Sequence, residues 1–229
     1  MSTSYSPSRI VLINMPTHAQ DHQNLWIFEH PVIQDKLTRI RDVDTDYATF
    51  RSLLNEIAGL MFFQLSKDFK TVAVEVQTPL EKITGSKLAD PITLVPILRA
   101  GVGMTDGIQR MIPEARVGHI GLYRDEETQE PVPYYCKLPS DIANGPVLLI
   151  DPMVATGGSA SHAATLLQEH GCRDVQMVCL VASPEGIVRM EKDHPDLRIF
   201  TASLDRCLNE QGYILPGLGD AGDRIFGTV

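Results

Sequence analysis

Between Pro146 and Gly171 the sequence runs Val147-Leu148-Leu149-Ile150, then Asp151 to Ser159, then Ala160 to His170. Four apolar residues behind a proline predict a buried strand of a parallel sheet. Ala163, Leu166, Leu167 and His170 recur at helical spacing, and Gly171 stands where a C-cap belongs. A strand that enters a helix through a loop of small residues brings unpaired N–H groups and the positive helix end to one place. That makes an anion site. No other stretch restricts the fold as strongly.

The side chains of the loop, Asp151-Pro152-Met153-Val154-Ala155-Thr156-Gly157-Gly158-Ser159, narrow the ligand. Thr156 and Ser159 add hydroxyl donors, and Gly157 and Gly158 let backbone approach phosphate oxygens without a Cβ between. An ionised Asp151 offers acceptors alone, so it repels phosphate and suits ribose hydroxyls. One acid for sugar hydroxyls beside a cradle for one phosphate describes a phosphorylated ribose. A bare Thr-Gly-Gly-Ser also suits an ordinary βα turn with a capping serine; the preceding acid favours the sugar phosphate.

The segment resembles the phosphoribosyl-pyrophosphate (PRPP) signature of type I phosphoribosyltransferases. Many members carry two adjacent acids, whereas this chain has Asp151-Pro152, and that departure resembles the uracil phosphoribosyltransferase branch. Other segments of that branch follow in order: Ile97-Leu98-Arg99-Ala100-Gly101, Tyr123-Arg124-Asp125-Glu126-Glu127, and Tyr213-Ile214-Leu215-Pro216-Gly217-Leu218-Gly219-Asp220-Ala221-Gly222-Asp223. The resemblance covers roughly residues 30 to 229. It implies transfer of the 5-phosphoribosyl group from PRPP to uracil, giving UMP and pyrophosphate. It implies PRPP contacts from Arg99, Arg124, Asp220 and the nine residues Asp151 to Ser159, with Arg124 and Asp220 in catalytic roles. Uracil would meet backbone groups of Ile214, Gly219 and Ala221, beside Asp220, in a C-terminal hood over about residues 205–229. Mg²⁺ is expected on the pyrophosphate, with waters and few protein carboxylates, and no protein-built metal centre. A homo-oligomer, dimer or tetramer, and a GTP effector belong to the same expectation.

Read without the resemblance, the other loops leave more open. Arg99-Ala100-Gly101-Val102-Gly103 leaves a strand and enters a helix, so backbone N–H groups and the Arg99 fork are offered to an anion. Gly101, Gly103 and Gly107 are one residue too widely spaced for a dinucleotide fingerprint. Arg124-Asp125-Glu126-Glu127 reads as a solvated loop, or as a flap over the reacting centre that excludes water. Gly217 to Gly222 matches G-x-G-x-x-G literally, but only seven residues remain, too few for a βαβ unit. Apolar residues on both sides favour an ordered loop. G-x-x-x-x-G-K-[ST] is absent, which excludes a P-loop kinase.

The expected fold class is α/β: a mostly parallel twisted sheet flanked by helices, preceded by N-terminal helices and followed by the hood. Pro31 opens one helix, and a second runs from about Asp46 to Gln64 with a wide apolar stripe to bury on the domain or on a second subunit. Thr71 to Val76 alternates like a half-buried antiparallel strand, with a turn at Thr84-Gly85-Ser86. Buried strands Ile92–Leu98, Val117–Tyr123, Val147–Asp151, Val175–Ala182 and Leu197–Leu204 then alternate with helices, and Pro133–Leu138 is extended. Ser183-Pro184-Glu185 starts the helix that ends near Asp193. Residues 1–29 form a partly disordered extension with an apolar patch at Val11-Leu12-Ile13, and residues 30–229 form a single domain.

Charge separates the remaining readings. Lys plus Arg is 20 against 29 Asp plus Glu, a net charge of −9. That opposes a general nucleic-acid surface, and so opposes a pyrimidine-nucleotide-sensing RNA-binding regulator on the same fold. A phosphoribosyltransferase for another 6-oxo base is the other alternative. No apolar run approaches the ~20 residues that span a membrane. The four cysteines, Cys136, Cys172, Cys179 and Cys207, show no Cys-x-x-Cys pairing. A cytoplasmic protein with no membrane partner is expected.

Overall fold

The computed structural model describes residues 16–124 and 131–228, with Arg124 described in its backbone alone. The expectations for Val11 to Ile13, for a disordered start and for most of a flap loop over Asp125 to Pro133 lie outside these residues; the last part of that loop, 131–133, is instead strand.

The chain begins with two short strands, β1 (Thr17–His18) and β2 (Leu25–Ile27), then α1 (Pro31–Arg41) and α2 (Tyr47–Leu65). Pro31 sits in the first turn of α1, where a missing N–H costs nothing, and Asp46 caps α2 by accepting from the Ala48 and Thr49 N–H groups. Next come β3 (Thr71–Gln77) and β4 (Lys82–Leu88), then β5 (Thr93–Leu98), α3 (Val102–Met111), β6 (Arg116–Val117), β7 (His119–Arg124) and β8 (Pro131–Lys137). The second half holds β9 (Val147–Ile150), β10 (Met153–Val154), α4 (Gly158–Glu169), β11 (Val175–Ala182), α5 (Pro184–Asp193) and β12 (Arg198–Leu204). The hood is β13 (Cys207–Leu208), β14 (Ile214–Leu215) and α6 (Ala221–Phe226).

One sheet runs β1-β2-β12-β11-β9-β5-β7-β8, with β10 beside β11 and β6 beside β5. It is parallel from β2 to β7, and only β1 and β8 run antiparallel to their neighbours. Because β2 pairs with β12, the sheet starts before residue 30. Side chains alternate across it. Leu94, Leu148, Ile150, Val178, Leu180 and Phe200 face α1, α2 and α3, while Val95, Ile97, Leu149, Met177, Cys179 and Ile199 face α4 and α5. The apolar stripe of α2 is therefore buried on its own domain, with Phe50, Leu54, Ile57, Ala58 and Met61 fully enclosed. No helix among the described residues is long and apolar enough to cross a membrane.

The β3–β4 segment departs from expectation. Thr84-Gly85-Ser86 is the middle of β4, paired with Glu75, Val74 and Ala73. The turn is at Thr78 to Glu81, where the Thr78 Oγ1 accepts from the Leu80 and Glu81 N–H groups. The hairpin is exposed along nearly its whole length rather than half-buried, with Val72, Val76, Ile83 and Leu88 in solvent.

Candidate active site

The direction of winding changes between β5 and β9. Through α3 the chain passes from β5 to β7 on one side; through α4 it passes from β9 to β11 on the other. Ligands of such sheets bind in the crevice beyond the strand ends at this switch. The loops after β5 and β9 flank it. They touch so closely that a Cβ on Gly101 would stand 2.4 Å from the Ile150 carbonyl oxygen, which only glycine permits.

The loop after β9 surrounds a cavity of about 170 Å³ lined by Asp151 and by Met153 to Ala160. Gly157 adopts φ 75°, the left-handed region, and a Cβ there would lie 2.6 Å from the Gly186 carbonyl oxygen. The first intrahelical bond of α4 runs from the Ser161 N–H to the Gly157 carbonyl. The amides of Gly158, Ser159 and Ala160 thus belong to the open first turn that lines the cavity. Asp151 stands at the strand end and its Oδ1 faces the Met153 N–H at 3.4 Å.

The loop rests on α5, a support that the sequence reading did not identify. The Ser183 hydroxyl donates to the Ala155 carbonyl (2.6 Å) and accepts from the Gly186 N–H (2.9 Å). The same serine that starts α5 therefore fixes the loop after β9. Its sequence signal, an N-cap before Pro184, announces only the helix.

A second cavity of about 320 Å³ is lined by Met153, Ala155, Gln211, Gly212, Tyr213, Ile214 and Asp220. It shares Met153 and Ala155 with the first, so the two adjoin. Ile214 pairs with Leu208, Gly219 has φ 79°, and Ala221 is fully buried at the start of α6. Asp220 Oδ1 accepts from the Asp223 N–H, so the carboxylate caps α6 as well as facing the cavity.

The hood is tied down by two arginines absent from the expected set. Arg41 on α1 makes a two-pronged contact with Asp205, 2.7 Å from Nη1 to Oδ2 and 2.6 Å from Nη2 to Oδ1, and donates to the Gly217 carbonyl. Asp205 also accepts from the Ser203 hydroxyl and the Gly217 N–H. Burial pushes the Asp205 carboxyl up, but these donors outweigh it and hold the group below its ordinary value. Arg224 on α6 donates to the carbonyls of Leu218, Ile40 and Asp42 while stacking over the Phe50 ring. The signal was an acid at the C-terminal end of a strand, Leu204-Asp205, but its partner lies 164 residues away.

The loop after β5 supplies less backbone than expected. The N–H groups of Gly101, Val102 and Gly103 donate to Ile97, Arg99 and Ala100 and are committed to the turn. The Arg99 side chain projects from this turn and is 61% exposed. Arg124 ends β7, beside β5, but its side chain lies outside the described residues.

A phosphate-type loop at the switch point of a doubly wound sheet, joined to a separate hood cavity, defines a type I phosphoribosyltransferase. An adenine phosphoribosyl transferase from Trypanosoma brucei shares the fold (TM-score 0.56, 13% identity, 88% of this chain and 90% of that one). The AQ2163 protein from Aquifex aeolicus is far nearer, with TM-score 0.84 and 36% identity over 88% of this chain and 97% of that one. The uracil phosphoribosyltransferase family model matches residues 27–228. Proteins named uracil phosphoribosyltransferase from Malacoplasma penetrans (52% identical) and Acholeplasma laidlawii (53%) each align with 89% of this chain and 98% of their own length. The chain belongs to the uracil phosphoribosyltransferase family.

Proposed function

We infer that the chain transfers the 5-phosphoribosyl group of PRPP to N1 of uracil, releasing pyrophosphate and forming UMP. One observation carries the reading: the phosphate-loop cavity and the hood cavity adjoin at Met153 and Ala155. A ribose spanning that junction has its 5-phosphate at the first turn of α4 and its anomeric carbon toward the hood. Thr156 to Ser159 take the phosphate, and Asp151 takes the ribose hydroxyls. The backbone of Ile214, Gly219 and Ala221 reads the base, and Asp220 contacts PRPP.

Such a site needs no protein nucleophile. As pyrophosphate leaves, positive charge grows at the ribose and negative charge on the leaving group. Catalysis comes from holding N1 against the anomeric carbon and from Arg99 and Arg124 stabilising the leaving charge. Asp151, an oxygen donor lining the loop cavity, fits a Mg²⁺ ion held mainly by PRPP itself. Such an ion would neutralise charge on the leaving pyrophosphate. Formation of UMP and pyrophosphate in equal amounts from uracil, PRPP and Mg²⁺ tests the reading; no UMP at saturating substrates overturns it.

Self-association of the chain belongs to the same proposal. The exposed apolar residues of the β3–β4 hairpin support it. A GTP effector rests on family resemblance alone, and initial velocity with and without GTP tests it.

A further inference from the structure

The last helix touches more than the base. Asp220 and Ala221 at its start belong to the proposed uracil and PRPP contacts, but its body lies against the turn after β5. A Cβ on Gly222 would stand 4.0 Å from the Ala100 Cβ, ordinary contact between the helix and that turn. A Cβ on Gly103 would meet Ile225 at 2.9 Å, so α6 seats directly on the first turn of α3. Two further side chains of α6 bracket Arg99. Asp223 Oδ1 stands 3.7 Å from its Nη2, and its guanidinium carbon lies 5.7 Å from the centre of the Phe226 ring.

Asp223 is held by a second contact, whereas Phe226 stands at the surface. Asp223 Oδ1 also accepts from the Thr228 hydroxyl at 2.6 Å, which holds the carboxylate in place at the end of the chain. Phe226 is 41% exposed, an apolar ring left at the surface where it faces the arginine. A 3.7 Å separation is an ion pair rather than a tight hydrogen bond, so the N–H donors of the guanidinium stay available to a ligand. What the bracket removes is rotamer freedom. An exposed arginine that binds an anion loses side-chain entropy, and pre-ordering it reduces that loss.

We propose that Asp223 and Phe226 are positioning residues for Arg99, so that the helix carrying the base contacts also aims the arginine that receives pyrophosphate. The proposal rests on the function inferred above.

The test is steady-state kinetics of the full-length chain with Asp223→Asn and Phe226→Leu. Asparagine keeps the acceptor for Thr228 and removes only the charge; leucine keeps apolar bulk and removes the ring face. Each variant should raise KM for PRPP about two- to fivefold, the scale of one exposed ion pair or one exposed cation–π contact. KM for uracil and Tm should stay at the wild-type values. The Asp223→Asn effect should shrink toward none near 1 M salt, where charges a few ångströms apart in solvent are screened. An unchanged or lowered KM for PRPP in both variants overturns the proposal, as does an equal rise in KM for uracil, which marks a loosened hood. Failure of the wild-type chain to make UMP would instead overturn the function itself.

Discussion

At the residue scale, the phosphate loop depends on one left-handed backbone position. Gly157→Ala forces a Cβ against the Gly186 carbonyl at φ 75°, at a cost of about 1–3 kcal/mol. The expected result is a large rise in KM for PRPP with a smaller change in KM for uracil, measured by varying each substrate. Arg124→Ala should lower kcat about 10²-fold or more, as loss of a transition-state charge partner does, while Tm barely moves. An unchanged rate removes Arg124 from the site. Asp205 behaves oppositely, because its work is structural. Asp205→Ala leaves Arg41 without its partner and should cost about 3 kcal/mol in a denaturant melt. Since its carboxyl is held below the usual value, its contribution is fully present above the unfolded carboxylate pKa of about 3.9 and is lost as pH falls through the lower folded value. Stability of the wild type should therefore drop below about pH 4 more steeply than that of Asp205→Ala, a difference readable by thermal melts across that range.

At the element scale, local chemistry made some segments plain and hid others. Pro31, Asp46 and Ser183-Pro184 announce three helix starts because a cap acts within one turn of itself. The β3–β4 hairpin departs from expectation because its alternation puts Val72, Val74 and Val76 on one face, and the chain covers that face with nothing that buries it. Thr84-Gly85-Ser86 then resembles a turn, whereas the real turn is built by Thr78. Val76 and Ile83 are directly paired across that hairpin and both are exposed. If the hairpin covers itself with a second copy, Val76→Lys with Ile83→Lys should convert an oligomer to monomers without lowering Tm of the monomeric fold. Light scattering after size exclusion reads this, and unchanged mass would place the interface elsewhere.

For the whole molecule, the doubly wound sheet was legible from repeated strand–loop–helix units, and with it the end of the sheet that bears the site. The loop from Asp151 to Ser159 was legible because strand, acid, glycines and helix are contiguous. The anchoring of the hood was not. Arg41 and Arg224 reach Asp205, Gly217, Ile40 and Asp42 across 164 to 184 residues, and such pairings leave no local pattern. A base slot read by backbone groups should reject cytosine by about 10³-fold in kcat/KM, because an exchanged donor and acceptor leave buried groups unpaired at roughly 1–3 kcal/mol each. Comparable turnover of the two bases would rule out that slot. The most direct measurement is a crystal structure of the chain with UMP. The nucleotide phosphate is expected among the amides of Gly158, Ser159 and Ala160, with the pyrimidine in the cavity between Met153 and Ile214. A phosphate bound in any other pocket, with the loop after Asp151 left empty, would contradict the account.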